Sequence, residues 1–354
     1  MACRCNAGGL YILRFMRRIL IPQHISDNPL PRGALREVHG ATMGTTWSVH
    51  LADGGLSPAS SAVLQGSLQS CLDALEAEMS HWRQDSALGR FNRAPAGSWH
   101  RLSHDFFTVL SYALEVAADS GGAYDPAAGA LVNLWGFGPQ NRYDTPEFVS
   151  PSTAAIAQVA RQPRWNALEL DVARSSVRQP GGAQLDLSAV AKGYAVDKLA
   201  DYLRQQGVRH YLIDIGGELC GAGMKPDGQP WWVELEAPYA GAAAPQGDAI
   251  LLALHGLAVA TSGDYRQHFT ADGRRYPHTL DPRCAHPITN GVASVTVIHD
   301  RCMAADALST ALTVMGVELG MRFADARGLT ARFLVRRDDQ LDEHLTRAFR
   351  DLLQ

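Results

Sequence analysis

Apolar positions along this chain switch repeatedly between a period of two and a period of three to four. Thr45, Thr46, Trp47, Ser48, Val49, His50 and Leu51 are rich in β-branched and aromatic side chains and predict a strand. Between 58 and 80, Val63, Leu64, Leu68, Leu72, Leu75 and Met79 mark one face of a helix. Phe106, Phe107, Leu110, Leu114 and Ala117 do the same over 103–119, and Gly121-Gly122 stops that helix. A polar connection over 139–151 leads into a short helix with Ser150 as the expected cap and Pro151 at its first position. Strands and turns follow over 164–187, with Gly181-Gly182 as a hairpin turn. Ser188 is the expected cap of a helix with the buried stripe Val196, Leu199, Ala200 and Leu203, ending at Gly207. Strands are predicted over 211–215, 231–236, 249–254 and 293–298, the last one preceding a helix that carries Asp306. Helices and strands interleave without a clean linker, so the expectation is an α+β fold, one compact body of mixed sheets with packed helices. The body is taken as 37–354, with 1–36 as a poorly ordered or amphipathic extension.

Composition narrows the function classes. Thirty-two Lys and Arg stand against 36 Asp and Glu in 354 residues, giving a net charge of −4 without a basic surface for nucleic acid. With 46% hydrophobic residues and no run of 18 apolar ones, a soluble globular chain is expected. The six Cys show no Cys-x-x-Cys pair and read as reduced thiols. Near the start, Arg14, Arg17 and Arg18 interrupt the apolar pieces and no small-residue cleavage site follows, which argues against a signal peptide. Met16 is an alternative start. A cytoplasmic location is expected, the alternatives being inner-membrane association or the periplasm; membrane contact would come only through the extension, as a basic amphipathic tail, or through a target.

Several segments can carry chemistry. Asp306 and Thr310 lie four residues apart on one helical face, while Leu308, Leu312 and Met315 repeat on another. A hard cation such as Mg²⁺ takes a carboxylate and neutral oxygens of this kind. The bland reading, a solvated Asp306 and a Thr310 bonded to a carbonyl of the preceding turn, stays open. Residues 40–46 combine small residues and hydroxyls before a strand, suiting close approach of a ligand or a plain tight turn. Residues 121–138 are dense in glycine and aromatics, either to grip a planar ring or as a packed loop with Trp135 and Phe137 in the core. Residues 185–195 sit at a strand-to-helix junction, where free amides favour a phosphate and Lys192 adds a point charge, or serve as an ordinary helix start. His278 is one well-framed histidine among 13. Neither a Gly-x-Gly-x-x-Gly fingerprint in strand-to-helix context nor a Walker loop occurs.

Taken together and in this order, the segments 43–46, 86–92, 125–138, 185–195, 214–218, 260–265, 278–282 and 305–310 resemble the ApbE family, the FAD:protein FMN transferases. The resemblance covers roughly residues 40 to 316 and rests on no single motif. Two departures stand out: Cys284-Ala285 replaces the family's Thr-Gly after Asp-Pro-Arg, and residues 1–36 lack the lipoprotein-type signal of many periplasmic members. The resemblance implies a flavin site using Met43, Trp82, Ala123, Tyr124, Asp125, Asp186, Lys192 and Leu280. It further implies Mg²⁺ held by the backbone carbonyl of Ala189 with Asp306 and Thr310.

The implied reaction moves FMN from FAD to a Thr or Ser hydroxyl of a target flavoprotein, forming a phosphoester and releasing AMP. His278 is the candidate base for that hydroxyl, with bracing of its loop as the alternative role. Two rival functions share the residues: an FAD pyrophosphatase in which water is the acceptor, and a non-catalytic flavin-binding protein.

Overall fold

The computed structural model describes residues 18–25, 29–52, 58–236, 249–265, 267–271, 273–337 and 340–353. The N-terminal part contains β1 (Arg18–Leu20), β2 (Leu35–Thr42), β3 (Thr45–Ala52), α1 (Pro58–Met79), α2 (Ala87–Asn92), β4 (Trp99–Arg101), α3 (His104–Asp119), α4 (Gly129–Leu134) and α5 (Thr153–Val159). The middle contains β5 (Glu169–Asp171), β6 (Ser176–Arg178), α6 (Ala191–Gln205), β7 (Tyr211–Ile215), β8 (Glu218–Ala222), β9 (Trp231–Glu234), β10 (Ile250–Leu254) and β11 (Leu257–Gly263). The remainder contains β12 (His268–Ala271), β13 (Arg274–Pro277), β14 (Leu280–Asp281), β15 (His286–Pro287), β16 (Val292–His299), α7 (Cys302–Ala326), β17 (Thr330–Arg337), β18 (Gln340–Leu345) and α8 (Arg347–Leu352).

Eight strands form one antiparallel sheet in the order β18-β17-β16-β11-β8-β7-β3-β2. Strand side chains alternate faces, and β7 shows what that does here. Tyr211, Ile213 and Ile215 point into the main core, which they share with Leu68, Leu72 and Leu75 of α1, Val196, Leu199 and Leu203 of α6, and Leu308 and Leu312 of α7. Leu212 points the other way, into a second core with Leu219, Val259, Ile298 and the small sheet β1-β10-β9. The large sheet is thus sandwiched between a helical layer and a smaller sheet, the α+β architecture expected for these residues.

Four expectations shift. Part of the supposed extension belongs to the body: β1 pairs in parallel with β10, Leu20 is fully buried, and the Arg18 guanidinium grips the Glu343 carboxylate. Burial of Leu20 beside Phe349 gives that short strand its reason, and residues 1–17 lie outside the described residues. The short helix is capped by Ser152, not Ser150, through the Ala155 N–H. Gly181-Gly182 does not join two strands; the loop folds around the Gln179 amide, whose Oε1 accepts from Gly181 and Ala183 N–H groups. Helix α6 starts at Ala191 with Val190 as its N-cap residue, since Ser188 is spent in a turn closed by Asp186.

Candidate active site

The centre of the site is a contact between the first turn of α6 and the first turns of α7. The Gly193 N–H, one of the donors that an α-helix leaves unbonded at its start, donates to Asp306 Oδ2 at 2.9 Å. Only glycine allows this approach: a Cβ at 193 would lie 2.4 Å from the Cys302 carbonyl oxygen and 2.7 Å from Asp306 Cβ. Beside them Lys192 Nζ donates to Glu218 Oε1 at 2.6 Å. Asp306 and Glu218 are both buried. Burial drives the Asp306 carboxyl up to about 7, helped by the Glu218 charge and opposed by Lys192 and the Gly193 N–H.

Glu218 is placed by the β7–β8 hairpin, whose two-residue turn Gly216-Gly217 has positive φ at both positions and requires glycine. The Gly216 N–H bonds the Thr46 carbonyl, so this turn rests on the β2–β3 turn. That second turn is Met43-Gly44, again with positive φ at both residues (48° and 73°), which is unfavourable for Met43. Glu76 Oε2 accepts from the Met43 N–H at 3.1 Å and holds it there.

The loop before α4 supplies the next wall. Tyr124 is buried, its phenol pushed far up by burial and by the charges of Asp306, Asp186 and Asp125, so it remains a donor. Asp125 has its acceptors spent on the chain: Oδ1 takes the N–H groups of Ala127 and Trp165, and Oδ2 lies 3.5 Å from Arg164. Burial still raises its carboxyl. Ala123 packs between Ile288 and Val314 of α7. Asp186 accepts from the Ser188 N–H and hydroxyl, and His81 Nδ1 lies 3.3 Å from that hydroxyl.

His278 and Leu280 stand on a separate wall. Leu280 packs with Leu131, Trp135, Phe137 and Ala285, so Trp135 and Phe137 are core residues of a satellite cluster. The His278 N–H and Nδ1 both meet the Gln267 carbonyl at 3.1 Å. A carbonyl only accepts, so Nδ1 carries a proton, and in the neutral form of the ring Nε2 is then the nitrogen with the basic lone pair. Arg164 ties this wall to the Tyr124 loop, reaching from Asp125 to the Pro282 carbonyl.

The structure therefore gathers Lys192 and Asp306, with Tyr124 and Asp186 close enough for their charges to be felt together. Thr310 follows Asp306 by one turn and is half-buried, and Ala189 precedes the N-cap of α6. Met43 is joined through the paired turns, while Trp82 is the outlier, half-exposed with the Arg142 guanidinium 5.5 Å from its ring. Sequence reasoning assigned no role to Glu218 or Gly193. A glycine inside a helical pattern is a signal of close packing, and it would have found the second.

Among the described residues no three His, Cys, Asp or Glu side chains converge as a metal cluster, so a cation here would draw on backbone and hydroxyl oxygens too. The donor chemistry suits a hard cation: two buried carboxylates face one ammonium, and Glu218 Oε2 is buried with no hydrogen-bond partner among the described residues. Tyr124 Oη is likewise buried and unpartnered, a donor suited to an anionic ligand.

A buried acid–lysine cluster at a helix start, on an α+β scaffold, places groups of both charges beside helix-start amides, a setting with the chemistry to receive an anionic ligand. The ApbE family model matches residues 43–333, and the chain belongs to that family. An FAD:protein FMN transferase of Vibrio cholerae is 38% identical over 323 residues, 90% of this chain and 93% of that protein. The apo flavinyl transferase ApbE of Pseudomonas stutzeri superposes with a TM-score of 0.81 at 38% identity, covering 90% of this chain and 96% of its own. The flavin transferase ApbE of Vibrio cholerae gives the same TM-score at 35% identity, with coverages of 90% and 99%.

Proposed function

We propose that this chain transfers FMN from FAD to a Thr or Ser hydroxyl of a target flavoprotein, with Mg²⁺ as cofactor. The class of activity, an FAD:protein FMN transferase, follows from the family and from the names of relatives that align over nine-tenths of the chain. The observation that carries the finer reading is the meeting of Lys192, Asp306 and Glu218 at the first turn of α6. Such a place can receive a pyrophosphate and the cation that accompanies it.

Asp306, Thr310 and the Ala189 carbonyl would hold the metal. When bound, Mg²⁺ supplies charge neutralisation of the pyrophosphate. Lys192 would orient a phosphate oxygen, its ammonium positioned by Glu218. Met43, Trp82, Ala123, Tyr124, Asp125, Asp186 and Leu280 serve the flavin nucleotide, Asp125 by fixing the loop that carries Ala123 and Tyr124. His278 takes the proton of the acceptor hydroxyl at Nε2 as the new O–P bond forms and the bond to AMP breaks.

A binding-only role is disfavoured because holding a flavin ring does not need a buried carboxylate pair. Incubation with FAD and Mg²⁺, with and without an acceptor flavoprotein, separates the remaining readings. A transferase gives AMP that tracks covalent FMN on the acceptor, whereas a pyrophosphatase gives free FMN and AMP at the same rate without acceptor. A cytoplasmic location goes with this reading, in keeping with the free thiols of Cys71, Cys220, Cys284 and Cys302. An exported or lipid-modified form recovered from cells would contradict it.

A further inference from the structure

Asp197 belongs to no part of the site described above, yet it is almost fully buried and spends both oxygens on the start of α7. Its Oδ1 accepts from the Cys302 N–H at 2.9 Å, and Oδ2 accepts from the Met303 N–H at 3.0 Å and from Arg301 Nε at 3.1 Å. The residue before α7, Arg301, offers no side-chain cap, so a carboxylate from another helix does that work. The same pair of helices meets a second time one turn on, where Gly193 of α6 donates to Asp306 of α7. Residues 193 and 197 are one turn apart on α6, as 302 and 306 are on α7, so the two contacts form a reciprocal clamp. A slip of α7 by one residue against α6 would break both.

We infer that Asp197 is a positioning residue of the cation site: it fixes the register of α7 on α6, so that Asp306 and Thr310 from one helix meet Ala189 and Lys192 beside the other. This rests on the metal reading above. Asp197→Asn keeps the size but replaces one acceptor with an NH₂ group that faces a backbone donor. Asp197→Ser removes the charge and leaves a single short acceptor.

The test is Mn²⁺ binding to FAD-free protein, read from the loss of the free-ion EPR signal, with thermal melting alongside. Both Asp197 variants are expected to bind Mn²⁺ about 10- to 100-fold more weakly, the range for residues that orient metal ligands. Thr346→Ala removes a buried cap at α8, remote from the site, and is expected to lower Tm while leaving Mn²⁺ affinity unchanged. Arg301→Gln, which keeps both backbone contacts of Asp197, is also expected to leave it unchanged. Mn²⁺ affinity of Asp197→Asn within about twofold of wild type would overturn the positioning role. So would failure of both Asp197 variants to fold, which would make the residue one of stability alone. Wild-type protein that takes up no Mn²⁺ would instead remove the cation site itself, and this inference with it.

Discussion

Gly193 gives its backbone N–H to Asp306 across 2.9 Å, in a gap that a single methyl group would close. Gly193→Ala must push α7 off α6, because the nearest obstruction is the backbone carbonyl of Cys302, which cannot rotate aside. The expected cost is about 1–3 kcal/mol of stability, with a larger loss of FMN transfer than of folded protein. Denaturant unfolding beside turnover checks it; a variant of normal stability and normal rate would show that the helix contact is looser than described.

The Asp306 carboxyl lies raised from 3.8 to about 7 by burial first and by Glu218 second. In metal-free protein a raised carboxyl favours the fold while it is protonated. Its contribution is complete below the unfolded value of 3.8 and is lost as pH rises through about 7. Asp306→Asn should flatten the stability profile across that window. A divalent cation must displace the same proton, so Mg²⁺ affinity should climb with pH up to about 7 and then level. Affinity independent of pH over this range would argue against Asp306 as a ligand.

In the neutral form of His278 the basic nitrogen is Nε2, because Nδ1 donates to the Gln267 carbonyl. His278→Ala should slow single-turnover transfer by roughly 10²–10⁴-fold, the range for a positioned general base, with little change in FAD affinity. A bracing role predicts the reverse, weaker FAD binding with transfer restored at saturation. FAD dissociation constants measured beside transfer rates decide between them.

Met43 sits at φ 48° in a two-residue turn where Asn or Gly is favoured. Met43→Asn should gain up to about 1 kcal/mol of stability by relieving that strain, while weakening FAD binding through loss of the thioether side chain. Reduced stability with unchanged FAD affinity would mean that the residue is kept for packing.

Much of the scaffold was legible from short-range pattern. The strand at 211–215 and the long helices around 58–80 and 103–119 follow from apolar spacing, because their buried faces are set by the period of the element itself, although Val63 of the first helix is exposed rather than on that face. That Asp306 and Thr310 lie one turn apart on the same helix was legible for the same reason. Starts of helices were less so: Ser188 looks like a cap, but Asp186 two residues earlier takes its N–H, and Ser152 outcompetes Ser150 across Pro151. Glu218 falls in the segment 214–218 that carries part of the resemblance, but its pairing with Lys192 could not be read, since it arises only when a hairpin turn folds against a helix 26 positions away in sequence. The pairing of β1 with β10 depends likewise on contacts remote in sequence, and the strands and helix after α7 were not anticipated.

We propose that the junction of Asp306 and Lys192 drives covalent transfer of FMN to protein. Its most direct test is mass spectrometry of an acceptor flavoprotein after incubation with FAD and Mg²⁺, comparing wild-type enzyme, Asp306→Ala and wild-type enzyme with chelator. An FMN phosphoester on a Thr or Ser of the acceptor, with equimolar AMP, is expected for the wild type in Mg²⁺ alone. An adduct formed equally well by Asp306→Ala in chelator would contradict it.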